Sequence, residues 1–244
     1  MAETLNSINS KHRIFKKIGK IIAIIFLSLG VTALGVLIFQ KTFYTPFWVN
    51  GQSMYPTLNK NAKYVSNGQL VGERNTKGEH TQYDVDYGFM VTDKNSLSHL
   101  SRFDIVVTKY TETQDSYNIK RVIVLPGETF YITSTSDKTN GSLYVKNVNN
   151  EFELISQPIE EEYIYKGTYP TKYTVETTLG EDEVFVMGDN RIEGNSYDSR
   201  SVGPIKQSLI HGIAVGLNAY ATIGYDSNNE LTPKSTSHYW PRFF

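Results

Sequence analysis

From Ile21 to Phe39 the chain runs nineteen residues without a charge or a proline. At ~1.5 Å per residue this predicts a helix of about 28 Å, close to the thickness of a bilayer's hydrocarbon core. Beyond it the pattern changes. Short runs rich in Val, Ile, Tyr, Phe and Thr recur at Phe103–Lys109, Ile119–Leu125, Thr129–Thr133, Leu143–Val145, Lys172–Glu176, Glu183–Met187 and Ile213–Leu217, with Asn, Gly, Ser and Pro between them. This is strand-and-turn spacing rather than helical periodicity. Strands so closely spaced, without intervening helices, predict a mainly β domain of antiparallel sheets. The polar stretches near 66–100 and 134–171 read as surface insertions or a smaller β subdomain, and Asp226–His238 reads as loop.

Charge orients the apolar segment. Lys11, Arg13, Lys16, Lys17 and Lys20 precede it, and only Lys41 follows closely. Positive flanks stay in the cytoplasm. Residues 1–20 are therefore expected inside, 21–39 in the membrane, and 40–244 outside the cytoplasm. Ala33-Leu34-Gly35 is a small-x-small signal, but Val36-Leu37-Ile38-Phe39 still follow it, which favours an uncleaved anchor over a removed leader. Phe43, Tyr44, Phe47 and Trp48 come next; such residues suit a membrane–water interface or the start of a β core.

Composition removes several function classes. Of the 24 basic and 25 acidic residues, six and one lie in 1–41, leaving 18 and 24 in 42–244, a balance of about −6. A mildly acidic body is no nucleic-acid surface. There is no cysteine, which excludes disulfides, thiol catalysis and thiolate metal sites. The five histidines are scattered without metal-ligand spacing, so no metal or cofactor is expected.

The chemistry then falls to hydroxyl and amine. Ser53 stands in Gly51-Gln52-Ser53-Met54-Tyr55-Pro56, which is not Gly-x-Ser-x-Gly, and no Ser-x-x-Lys occurs. Both α/β-hydrolase and β-lactamase arrangements are thereby set aside. Tyr55, before a proline, avoids helix, and Gly51 lets the backbone pass close to another chain. A serine needs a base, and no histidine is convincingly placed. In Tyr117-Asn118-Ile119-Lys120-Arg121-Val122, strand alternation puts Lys120 and Arg121 on opposite faces, so one of the two charges must point inward. A buried lysine loses its charge more readily, and a drop of about 2–3 units from ~10.4 costs roughly 3–4 kcal/mol. The cluster Gly188-Asp189-Asn190-Arg191 with Ser196-Tyr197-Asp198-Ser199-Arg200 offers Arg–Asp pairs that would stiffen a loop. Its arginines argue against calcium.

In this order the blocks resemble the bacterial type I signal peptidases, and the single span most resembles the Gram-positive form. The match runs through Ser53–Leu58, Arg102–Val107, Tyr117–Glu128 and Gly188–Arg200. The resemblance implies a Ser/Lys endopeptidase that removes signal peptides after small residues at −1 and −3, with Ser53 as nucleophile and Lys120 as general base. It implies that Ser196 orients Lys120, that Asp189, Asp198 and Arg200 brace the site, and that Phe47, Val49, Met54, Leu58 and Ile119 line the substrate pocket. The Ser53 N–H would hold the oxyanion. Gly51 stands where some relatives place a serine donor, and one such donor is worth about 3–4 kcal/mol, so a second, backbone donor is expected. Exported preproteins, membrane lipid and the secretion machinery are the implied partners. Val124 stands where the family usually has glycine, Glu128 where it often has aspartate, two extra residues fall between Arg191 and Ser196, and the stretch from Leu58 to Arg102 is long. These departures suggest a specialised peptidase, for instance for surface or pilus proteins. The alternative is a non-catalytic assembly module on the same fold.

Overall fold

The structure is a computed structural model; it describes residues 2–59, 73–74, 80–92, 97, 99–133, 141–155, 173–191, 194–228 and 231–244. Two compact units divide the chain, 1–44 and 45–244. The first is a single helix, α1 (Ala2–Phe43). Within it Lys16–Ile38 is long and apolar enough to cross a membrane, and none of that stretch is buried. Its leucines, isoleucines and Phe26 face outward (Phe26 71 % exposed). An apolar surface on every side of a helix suits lipid.

Among the described residues, the second unit is β apart from short turns of helix. Its strands are β1 (Tyr44–Trp48), β2 (Glu73–Arg74), β3 (His80–Val91), β4 (Ile105–Thr108), β5 (Asn118–Val124), β6 (Thr129–Ile132), β7 (Leu143–Lys146), β8 (Phe152–Leu154), β9 (Thr177–Thr178), β10 (Glu183–Met187), β11 (Ile205–Lys206), β12 (Ile210–Tyr225) and β13 (Leu231–Phe243). The main sheet runs β1-β3-β12-β4-β5-β10-β11, with β13 on β12 and β2 on β3. A smaller sheet runs β8-β7-β6-β9. The registered pairs are antiparallel, as the strand spacing predicts.

All four residues of β4 are buried. Ile105 joins Val49, Met54, Leu58, Ala214 and Leu217 on one side, and Val106 joins Val122, Val184 and Val186 on the other. A strand covered on both faces reads as a near-continuous apolar run rather than an alternation, here interrupted only by the buried Thr108. A third cluster ties the small sheet to the large one: Phe130, Ile132, Leu143 and Val145 pack against Ile123, Phe185 and Met187.

Several expectations need correction. Residues 80–91 were expected in an insertion, yet they form β3, which pairs with ten positions of β12 from Gln82 to Val91. The acidic look of Asp84 and Asp86 conceals buried Val85, Asp86 and Met90. Most of 66–79 and all of 156–172 lie outside the described residues. Residues 173–176 are not a strand; Tyr173 is buried against Phe130 and Phe185, and ladder pairing begins at Thr177. The tail expected as loop is β13 from Leu231 onward, paired with β12. Its mostly exposed residues carry no apolar alternation for a sequence reading to detect.

Candidate active site

The nucleophile segment leaves β1, crosses Gly51 at φ +108, and enters a turn closed by Tyr55 N–H to the Gln52 carbonyl (2.9 Å) and Leu58 N–H to the Met54 carbonyl (2.9 Å). The glycine serves its positive φ, a region that strains residues with a Cβ. Close approach, expected from the sequence, is not its reason, because nothing lies within 4 Å of where a Cβ would be. Close approach occurs instead at Gly188, where a Cβ would run into Ser196 Oγ and the Ser53 carbonyl.

Three strands deliver the other groups. β4 pairs Val106 with Lys120 and Ile105 with Arg121. β10 pairs Met187 with Arg121, so Gly188 and Asp189 follow directly alongside Lys120. Lys120 Nζ donates to Ser53 Oγ at 2.8 Å and to the Ile119 carbonyl at 2.8 Å. Lys120 is 3 % exposed. Burial brings its amine down from 10.5 to about 8, with Asp198 and Asp189 opposing the drop and Arg200 adding to it. A lysine titrating there is neutral about one time in ten at pH 7.

Both strand-neighbour charges are inside, whereas alternation alone asks for only one. Arg121 is 5 % exposed and makes a two-pronged pair with Asp189, Nε to Oδ1 at 2.8 Å and Nη2 to Oδ2 at 2.6 Å. Thr57 Oγ1 donates to the same carboxylate at 2.6 Å. Asp198 makes the second such pair with Arg200, at 2.9 Å twice. It also caps the helix α2 (Ser199–Val202) and accepts from Gly188 N–H at 2.9 Å. Burial alone would push the Asp198 carboxyl up, but the Arg200 guanidinium and the Gly188 and Ser196 donors hold it below its ordinary value. Charge-assisted, forked bonds of this type fix geometry as well as charge. Asp189, Asp198 and Arg200 are thus held in two buried, forked Arg–Asp pairs.

Ser196 differs from expectation. Its hydroxyl donates to Asp198 Oδ2 at 2.7 Å, not to Lys120. The carboxylate it bonds is one whose charge acts on Lys120. The loop's asparagines, given no role by the sequence reading, hold the serine: Asn190 N–H donates to the Ser53 carbonyl at 3.0 Å, and Asn190 Nδ2 to the Gln52 carbonyl at 3.2 Å. Asn195 Oδ1 accepts from Gln52 Nε2 at 3.0 Å. Of the stretch between Arg191 and Ser196, where two extra residues are expected, 192–193 lie outside the described residues.

Ser53 and Lys120 open onto a groove of about 670 Å³ lined by Thr45–Asn50 on one side and Ser116–Lys120 on the other. Phe47, Val49 and Ile119 line it. Met54 and Leu58 do not; they are 1 % and 0 % exposed and pack with Val49 and Ile105. Their side chains point into the core because the turn after Ser53 directs them away from the opening. Among the lining residues, Tyr117 packs against His211 in a tilted pair with ring centres 4.7 Å apart, and Lys109 Nζ lies 4.9 Å from the Tyr117 ring. The departures at 124 and 128 are absorbed locally. Val124 is buried opposite Phe185, and Glu128 pairs with Arg102 at 2.6 Å while accepting from Leu125 N–H.

Residues 19–217 match the family described as Signal peptidase, peptidase S26. The chain belongs to this family. Signal peptidase I U of Bacillus subtilis is 28 % identical over 200 residues, 79 % of this chain and 84 % of the relative. Signal peptidase I V of the same organism is 35 % identical over 124 residues, 49 % of this chain and 69 % of the relative. A crystal structure of a signal peptidase I from Enterococcus faecalis is 26 % identical, covering 47 % of this chain and 96 % of that one, with a TM-score of 0.33. The protein is therefore a serine peptidase of the signal peptidase I type, and the non-catalytic alternative falls away.

Proposed function

We propose that this chain is a membrane-anchored endopeptidase that removes signal peptides from exported preproteins through Ser53 and Lys120. The observation that carries the reading is the 2.8 Å contact between a buried amine and the Ser53 hydroxyl. In its neutral form Lys120 takes the Ser53 proton as Oγ bonds to the scissile carbonyl carbon. The Ser53 N–H holds the developing oxyanion. The C–N bond then breaks, the leaving amine takes the proton from Lys120, and an acyl-enzyme remains. Water repeats the sequence, giving its proton to Lys120, and frees Ser53.

The groove suits an extended peptide. β1 ends the main sheet, and β10 pairs with β5 only from Arg121 on, so neither β1's outer edge nor that side of 118–120 carries a strand among the described residues. A peptide laid between them adds a strand. Its side chains alternate, so −1 and −3 face the same wall. Phe47, Val49 and Ile119 line the groove, and we read the wall they form as the one that selects small side chains at −1 and −3. We further read 1–20 as cytoplasmic, 21–39 as the anchor and 40–244 as extracytoplasmic, from the basic flank before the span. Trp240, Phe243 and Phe244, 90 %, 65 % and 48 % exposed, support contact of the outer unit with lipid, where such rings are favoured.

The substrate-side test uses the full chain in lipid vesicles and a preprotein with alanine at −3 and −1. A single cut after −1 is expected, and leucine at −1 is expected to slow it by about 100-fold. Equal cutting of both preproteins would contradict the substrate reading.

A further inference from the structure

Asn59 is buried at 1 % exposure and sits at φ +60, a left-handed conformation that asparagine tolerates better than most residues. Its side-chain amide is fully engaged. Nδ2 donates to the Val49 carbonyl at 2.9 Å and to the Gly51 carbonyl at 2.9 Å. Oδ1 accepts from Asp86 N–H at 2.7 Å. In return, Asn59 N–H donates to Asp86 Oδ2 at 2.6 Å, and Val49 N–H donates to the Asp86 carbonyl at 2.9 Å. Asp86 is 3 % exposed on β3. Five hydrogen bonds thus close the segment 49–59 at its base, with Ser53 at its crest.

The peptide planes show what the clasp does. A peptide unit is rigid, so fixing its carbonyl fixes its N–H. Asn59 fixes the carbonyl of the Gly51–Gln52 unit. Asn190 fixes the next carbonyl, that of the Gln52–Ser53 unit, whose N–H belongs to Ser53. Gly51 occupies a φ open to few other residues, and the hydrogen bond from Asn59 to its carbonyl helps hold that orientation. We propose that Asn59 and Asp86 are positioning residues that aim Ser53 Oγ and the Ser53 N–H by clasping both ends of the nucleophile segment to β3. This rests on the Ser53/Lys120 reading above. Neither residue touches Lys120 in the hydrogen bonds of the described residues, so the clasp should act on geometry and leave the amine's titration alone.

The test measures kcat, KM and the pH profile of the full chain on the preprotein, well below each variant's melting midpoint. Asn59→Ala is expected to lower kcat by about 30- to 100-fold, the scale of a 1 Å misplacement, with KM within twofold and the acidic limb unmoved. Asp86→Asn, which keeps an acceptor for the Asn59 N–H, is expected to stay within about threefold of wild type, and Asp86→Ala to fall at least tenfold, on the same scale. Should Asn59→Ala not fold, Asn59→Ser, with one donor on a shorter arm, is expected to fold and lose at least about tenfold in kcat. Wild-type kcat in a folded Asn59→Ala or Asn59→Ser would overturn the proposal, as would equal losses in Asp86→Asn and Asp86→Ala. If Ser53→Ala itself still cut, the Ser53/Lys120 reading would fail; if Ser53→Ala is dead while the clasp variants are normal, the clasp alone fails.

Discussion

Lys120→Met is expected to abolish cleavage while making the protein more stable. The two effects share one cause. The folded state holds the amine near 8 instead of 10.5, and a shift of that size costs about 3 kcal/mol at pH 7. Methionine has a similar length and no charge to desolvate. It forfeits the bonds to Ser53 Oγ and the Ile119 carbonyl, each worth about 1 kcal/mol. A net gain of about 1 kcal/mol or more remains. The sign with pH follows from proton binding. Between the folded value near 8 and the unfolded value near 10.5 the unfolded chain binds more protons, so wild-type stability rises with pH there. The advantage of methionine is then fully present below about pH 8 and is lost as pH approaches 10.5. Denaturation at pH 6.5 and at pH 10 measures it. A methionine variant less stable at pH 6.5 would mean the lysine sits there without strain. For catalysis, both Lys120→Met and Ser53→Ala are expected to lower kcat/KM by about 10⁴-fold or more, and the double variant no further, because groups that act as a unit are not additive.

Gly188→Ala is expected to be the most damaging single-methyl change in the site. The new Cβ would overlap Ser196 Oγ and the Ser53 carbonyl. Ser196 could rotate, at the expense of its bond to Asp198. The Ser53 carbonyl cannot move alone, since it is backbone and accepts from Asn190 N–H. The nucleophile must therefore shift, and kcat should fall about 100-fold or more. The same contact predicts that KM changes little, since Gly188 does not line the groove. Wild-type kcat in this variant would show that Ser53 has slack against β10.

How far residues alone reveal such a site depends on where the informative contacts lie. The apolar span and strands such as Glu183–Met187 were legible because burial writes a pattern into neighbouring positions. That one of Lys120 and Arg121 points inward was legible for the same reason. That both do was not: the burial of Arg121 rests on Asp189, 68 positions away, and no local signal marks a partner that distant. Ser196 was matched by its place in a block, but a hydroxyl's direction is set by the strongest acceptor nearby, here Asp198. Asp86 passed as an insertion residue and Asn59 drew no reading, since a hydrogen-bonded polar pair in the core looks in sequence like surface. β13 was invisible because an edge strand with exposed Ser235, Thr236 and Ser237 needs no apolar face.

The neutral amine beside the serine is best tested by following the lysine side-chain nitrogens of ¹⁵N-lysine-labelled full chain by NMR as pH rises. One nitrogen is expected to titrate near 8 and to vanish from the spectrum of Lys120→Met. If every lysine, Lys120 included, keeps its proton until above pH 10, Lys120 cannot be the base that activates Ser53.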